Sequence, residues 1–263
     1  MPRTMNESVA ALPDTLEAMS DIVQHLPRVW TIEDLRGPAG KLEAILNSGR
    51  ADAAYAAIIC HPHPKGGGTM HNKVVYHAMK ALHGFGLPVL RFNFRGTGLS
   101  GGAHDEGRGE QDDVRAALDW LDREFHLPIL FAGFSFGAWV GLRACCGDER
   151  VRGLIALGLP VRAEGRSFDY GFLAGCGQPK LFISGTRDQY GPVNEVEAEV
   201  GLAAEPKELV WIADADHFFA ARGTSSSADT AGHPAQPLGS KLYEVREAIR
   251  TWTIKRFPPL GRP

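Results

Sequence analysis

The chain reads as an α/β protein: one domain on a doubly wound, mostly parallel sheet with helices on both faces. Two observations carry this reading. Apolar runs alternate with helical segments along most of the 263 residues, the pattern left by parallel strands joined through crossover helices. The run "AGFSFGAW" also sets a G-x-S-x-G between a strand and a helix, the context in which that motif makes a sharp, exposed turn.

Taken in order, "RVWTIED" and "GKLEAIL" predict an antiparallel strand pair joined across "LRGPAG". "YAAIIC" is a continuous apolar run, the mark of a strand covered on both faces. Residues 72–83 read as a helix, "LPVLRFNF" as a strand, and "QDDVRAALDWLDREF" as a helix with acids in its first turn, where the helix dipole favours them. "PILFAGF" is a strand and "FGAWVGLRACC" a helix. "VRGLIALGL" and "PKLFISGT" are strands, "VNEVEAEVGLA" a helix, "ELVWIA" a strand, and "KLYEVREAIRTWTIKRF" the closing helix. The domain spans 28–263. Residues 1–27 form an amphipathic or disordered leader, with Val9, Leu12, Leu16, Met19, Val23 and Leu26 at helical spacing around Pro13, and a homodimer contact is one use for it. Residues 223–240 read as a flexible loop.

Composition excludes several classes. The chain is 44% apolar and 22% charged, with a formal charge of -3, so it lacks the basic face that nucleic acid requires. No apolar run is long enough to span a membrane, and the first residues have no signal-peptide core. Cys60, Cys145, Cys146 and Cys176 form no CxxC pair, which suits reduced thiols in a cytoplasmic protein.

The serine of the motif, Ser135, is the candidate nucleophile, placed at the carboxyl edge of the sheet where doubly wound folds bind ligands. Side chains at Gly133 or Gly137 would crowd the turn. A serine needs a base, and in this arrangement the base follows the last strand in the order Ser, acid, His. His217, in "ELVWIADADHFF", meets that requirement. His71, His77 and His83 read as helix-face histidines, and His25, His104, His126 and His233 as solvated ones. Asp188, in "FISGTRDQYGPV", is the candidate acid that fixes the imidazole. Asp214 and Asp216 compete, but Asp216 adjoins His217 and is poorly placed to reach its ring.

"RFNFRGTGLSG" fits the dinucleotide fingerprint G-x-G-x-x-G. That site needs a helix starting inside the motif, and "GAHDEGRGEQDD" does not supply one, so no cofactor is expected. "ICHPHPKGGGTMHN" offers His61 and His63 as metal ligands, but no third ligand accompanies them, so no metal is expected. It also lacks the phosphate-loop pattern. The loop follows a buried strand, where an acyl-transfer site takes its second oxyanion donor. Pro62 and Pro64 have no N–H, which leaves His63 first and Lys65 second, partnered by the Phe136 amide. His61 is read as a polar anchor for the loop.

Together, "HPHPKGGGTMHNKVV", "VLRFNFRGTGLSGG", "AGFSFGAWV" and "ADADHFF" resemble the α/β-hydrolase superfamily, and within it small bacterial hydrolases related to dienelactone hydrolases and acyl-peptidase-like esterases. The resemblance implies a serine hydrolase with Ser135, Asp188 and His217 as its triad. Dienelactone hydrolases use cysteine as nucleophile, which argues against carrying over their substrate. Only 18 residues, Arg162 to Pro179, join two late strands where lipases carry a lid. No substantial lid domain is therefore expected, and the site should be open and suited to short acyl groups. Phe134, Phe168, Tyr170 and Tyr190 are candidate lining residues, with Phe136 and Phe172 beside them. The expectation is a small-molecule ester as substrate. Peptide, amide or thioester cleavage on the same triad is the alternative, and a non-catalytic binding protein a third.

Overall fold

The computed structural model describes residues 29–163, 165–221 and 240–258. The leader 1–27 and the loop 223–240, Ser240 excepted, lie outside the described residues. The main sheet has eight strands: β1 (Val29–Ile32), β2 (Ala44–Asn47), β3 (Ala56–Cys60), β4 (Val89–Phe92), β5 (Ile129–Phe134), β6 (Val151–Leu157), β7 (Lys180–Gly185) and β8 (Lys207–Ile212). Their order across the sheet is β1-β2-β4-β3-β5-β6-β7-β8. Strand β2 pairs antiparallel with both of its neighbours, and from β4 to β8 every pairing is parallel. The helices are α1 (Lys73–His83), α2 (Arg108–Phe125), α3 (Phe136–Cys145), α4 (Val193–Leu202) and α5 (Leu242–Arg256).

Alternate residues of the central strands face opposite sides. Ile58, Cys60 and Phe131 join a core with α2, α3 and α4, whereas Ala57, Ile59, Leu130 and Ala132 join a second core with α1 and α5. All five residues of β3 are buried, as a strand roofed on both faces requires. The expected β1–β2 pair is present, with Val29 opposite Asn47. The connection between them folds into a two-strand ribbon, Arg36–Gly37 against Gly40–Lys41. Between β6 and β7 the short link makes a second ribbon, Arg162–Ala163 against Arg166–Ser167, and a 3-10 turn, Gly171–Gly175. Its described residues hold no lid helix.

The polar loop after β4 is built rather than loose. Glu43 accepts hydrogen bonds from the Asn93 side chain at 2.7 Å and the Leu99 amide at 2.8 Å. Ser100 accepts from the Glu43 amide and donates to the Asn93 carbonyl. Helix α2 begins at Arg108, earlier than the expected Gln111, because Glu110 accepts the Gly107 and Asp105 amides and so caps the first turn. The Gly96–Gly101 stretch closes as a tight loop, the Gly96 amide donating to the Gly101 carbonyl at 3.0 Å, and no helix starts within it.

Arg95 ties this loop to α2. Its Nε and Nη2 bond both oxygens of Asp113, and its amide donates to the same carboxylate at 3.0 Å. The Asp113 side chain is fully buried, and that burial pushes its carboxyl up against the opposing pull of Arg95. Removing one member of a buried pair leaves the other charge without compensation. The Asp113→Ala variant is therefore expected to lose about 3–5 kcal/mol of stability in urea unfolding. A loss below about 1 kcal/mol would reduce the pair to an ordinary surface bridge.

Candidate active site

Strand β5 ends at Phe134 and α3 starts at Phe136, so Ser135 makes the turn alone. Its φ of 54° and ψ of -123° lie where side-chain-bearing residues rarely sit, at a cost of order 1–3 kcal/mol. The turn is held by the Ser135 amide on the Leu157 carbonyl at 2.9 Å, and by the Ser135 carbonyl accepting the Ala138 and Trp139 amides. A Cβ on Gly133 would stand 2.5 Å from the Gly137 carbonyl, and one on Gly137 would stand 2.3 Å from the His61 carbonyl. The paired glycines thus let the chain reverse, and let α3 touch the end of β3.

Two further loops converge on Ser135. His217 follows β8, and its Nε2 lies 2.9 Å from Ser135 Oγ. Its Nδ1 lies 2.7 Å from Asp188 Oδ2, in the loop after β7. The second Asp188 oxygen accepts the Tyr190 amide at 2.8 Å and the Gly191 amide at 3.2 Å. With Asp188 ionised, the tautomer follows from the network: Nδ1–H donates to the carboxylate, and the Nε2 lone pair faces the serine hydroxyl. The ring is packed by Phe134, Tyr190 and Phe218 at centroid distances of 5.1, 4.7 and 5.3 Å. Asp216 instead accepts the Phe218 and Ala220 amides of its own turn. Asp214 takes the left-handed corner, with φ 57°.

The opening of α1 and the end of β3 frame the histidine-rich loop. His61 is fully buried. Its Nε2 accepts the Phe94 amide at 3.0 Å, and its Nδ1 meets the Pro62 carbonyl at 2.7 Å. Both ring nitrogens are therefore used, neither is left for a metal, and the loop is pinned to the end of β4. Among the described residues no group of three or more His, Cys, Asp or Glu side chains stands together as a metal site. Residues Pro64–Gly66 form a 3-10 turn. Gly68 lies so close that a Cβ would stand 2.2 Å from the Pro62 carbonyl. The Lys65 amide is turned onto the His63 ring at 3.2 Å. The Phe136 amide is in the first turn of α3, where N–H groups have no intrahelical partner.

A cavity of about 230 Å³ opens beside Ser135 and His217. His63, Phe136, Tyr190 and Phe168 line it, together with Trp139, Phe218, Glu106 and Arg166. Phe134 and Tyr170 do not. Phe134, preceding the serine, points into the core beneath α1 and α5, and Tyr170 is buried with its hydroxyl donating to the Pro160 carbonyl at 2.7 Å. Phe172 packs on the core instead. His104, expected in solvent, has a side chain only 8% exposed, with ring contacts to His63 at 4.8 Å and Phe136 at 5.5 Å. Trp139 was legible as the residue four past Ser135 on α3. Glu106 and Arg166 carry no local signal, because they meet only in the folded chain.

An eight-stranded sheet of this order, with a Ser–His–Asp constellation at its carboxyl edge and no lid helix among the described residues, defines a class of doubly wound α/β proteins. The family described as an alpha/beta hydrolase domain matches residues 56–236, and the chain belongs to it. An uncharacterised protein of Rickettsia prowazekii is 36% identical over 201 residues, covering 74% of this chain and 82% of that one. A solved serine hydrolase homologue from Coxiella burnetii is 35% identical with a TM-score of 0.69, over 85% of this chain and 96% of that one. A serine hydrolase without lid from Xanthomonas campestris is 33% identical with a TM-score of 0.69, over 90% and 97%.

Burial lowers the His61 pKa from 6.5 to about 4. A folded pKa below the unfolded one means that the unfolded chain takes up the proton first as pH falls. The contribution is whole above the unfolded value and is lost as pH drops toward 4, to the extent of about 3 kcal/mol. His61→Gln keeps an acceptor for the Phe94 amide but cannot titrate. Urea unfolding between pH 7 and 4 should show a shallower acid-side decline in this variant than in the parent. Identical slopes would remove His61 from the acid response.

Proposed function

We propose that the protein is a serine hydrolase that cleaves small carboxylic esters through an acyl-enzyme. The observation that supports this most directly is the continuous hydrogen-bonded chain from Asp188 through His217 to Ser135, opening on a cavity with apolar walls. His217 takes the hydroxyl proton as Ser135 attacks the carbonyl, and returns it to the leaving alcohol. Asp188 holds the imidazole in the required tautomer and stabilises the cation that forms. The Phe136 amide is one oxyanion donor, and the His63 amide is assigned as the second, since that of Lys65 is turned onto a ring. Water then attacks the acyl-serine with the same base assisting.

The lidless connection after β6 supports short acyl groups, and the motifs around the site support kinship with the dienelactone-hydrolase-related group. No described helix is long and apolar enough to cross a membrane, and the four cysteines are free, which suits a reducing cytoplasm. A homodimer remains a proposal resting on the sequence of the leader.

Ser135→Ala should abolish hydrolysis of p-nitrophenyl acetate and butyrate, and a fluorophosphonate should label Ser135, as read by mass spectrometry. Asp188→Asn should keep the label site but lower kcat by about 10⁴, through the wrong imidazole tautomer. Full turnover by Ser135→Ala would overturn the proposal.

A further inference from the structure

The cavity has one feature that a pocket for plain short esters does not need. Glu106 and Arg166 both line it, among walls of Phe136, Trp139, Phe168 and Phe218. Arg166 Nη1 bonds Glu106 Oε2, and Lys65 Nζ donates to Glu106 Oε1 at 2.8 Å. Three loops, after β3, after β4 and after β6, thus deliver their charges to one point beside the site. Glu106 adopts a left-handed φ of 55°, a conformation unfavourable for a residue with a side chain.

Glu106 stands between the two cations, of which Arg166 lines the cavity and Lys65 does not. His104 lies with Nδ1 2.8 Å from Glu110 and Nε2 3.6 Å from Glu106, and burial lowers its pKa against the pull of Glu110. Glu110 does not line the cavity and is engaged by the Asp105 and Gly107 amides. Arg162 and Arg143 are paired elsewhere, with Glu195 and Asp169. Of these lysine and arginine side chains, Arg166 is the one the cavity wall presents.

We infer that the site takes esters bearing a carboxylate at the end remote from the scissile bond, and that Arg166, which Glu106 engages in the absence of substrate, receives that carboxylate. This rests on the ester-hydrolase reading above. A guanidinium presents a planar fork of five donors that matches a carboxylate. Among the described residues, Arg166 engages Glu106 through Nη1 alone. An incoming carboxylate can therefore bind the fork while Glu106 keeps Lys65. An incoming cation would instead have to strip Glu106 from both of its partners. The mostly apolar walls accommodate the methylenes between the two polar ends.

The test compares kcat/KM for p-nitrophenyl monoesters of succinic, glutaric and adipic acid with that for neutral p-nitrophenyl esters of matched length. A second series places the carboxylate on the alcohol, which separates an acyl-side from a leaving-group-side anion. The readout is the anionic-to-neutral ratio, because misfolding lowers both rates together. In the parent at low salt the ratio should reach about tenfold for at least one length in one series. Arg166→Ala should bring it near one, and Glu106→Gln should raise it. A parent ratio of one or less throughout, or a preference untouched by Arg166→Ala, overturns the inference and leaves the ester reading standing when neutral esters are turned over. If no ester is turned over in either series, both readings fall.

Discussion

The constraint on which the site depends is the contact between the first turn of α3 and the end of β3. Gly137 reaches the His61 and Cys60 carbonyls so nearly that no side chain fits between them. That approach brings the amides at the start of α3 beside the loop that follows β3, where hydrogen bonds at both ring nitrogens hold His61. His61 then passes the constraint sideways by accepting the Phe94 amide. The ends of β3, β4 and β5 are thereby locked to one another through backbone groups rather than through long, adaptable side chains. Desolvation favours this choice: a buried N–H without an acceptor costs about 1–3 kcal/mol, so the neutral imidazole is held by the need it satisfies.

The fold was legible because its strands are covered on both faces. Such strands must be apolar without alternation, and "AAIIC" or "ILFAGF" between helices admits few other readings. Ser135, Asp188 and His217 were legible as a set through their order along the chain, each after a strand. The charged wall of the cavity was not. Glu106 meets Lys65 across 41 positions and Arg166 across 60, and no local pattern encodes a pairing between loop tips. His104 was misread for the same reason: a histidine in a polar, glycine-rich run looks solvated until Glu110 and the His63 ring close around it. The two aromatic misassignments have a different origin. Phe134 continues the face of β5 that carries Leu130 and Ala132 and so joins the core under α1 and α5, a matter of strand alternation, whereas Phe136 lies past the turn on α3. Tyr170 is turned inward because its hydroxyl has a carbonyl waiting in the core.

The link between β6 and β7 shows how little chain is needed to shape a pocket. Two short strands and the residue after them supply Ala163, Arg166, Ser167 and Phe168 to the cavity wall. A helical cap would cover the same ground with far more surface and would have to move for ligand entry. Here shape comes from Phe168 packed edge-on against Trp139 at 5.2 Å, and charge from a single arginine. The wall is consequently small enough to be changed residue by residue without disturbing the sheet below.

The spacing of the constellation along the chain has a further consequence. His217 reaches Ser135 across 82 positions and Asp188 across 29, and the strands that carry them pair only in parallel. Loop-closure entropy makes such distant pairings late events in folding. A partly folded chain, however compact, holds the serine, imidazole and carboxylate on separate and unaligned strand ends. Formation of the site therefore coincides with completion of the sheet from β5 to β8, and the site reports global assembly rather than local order.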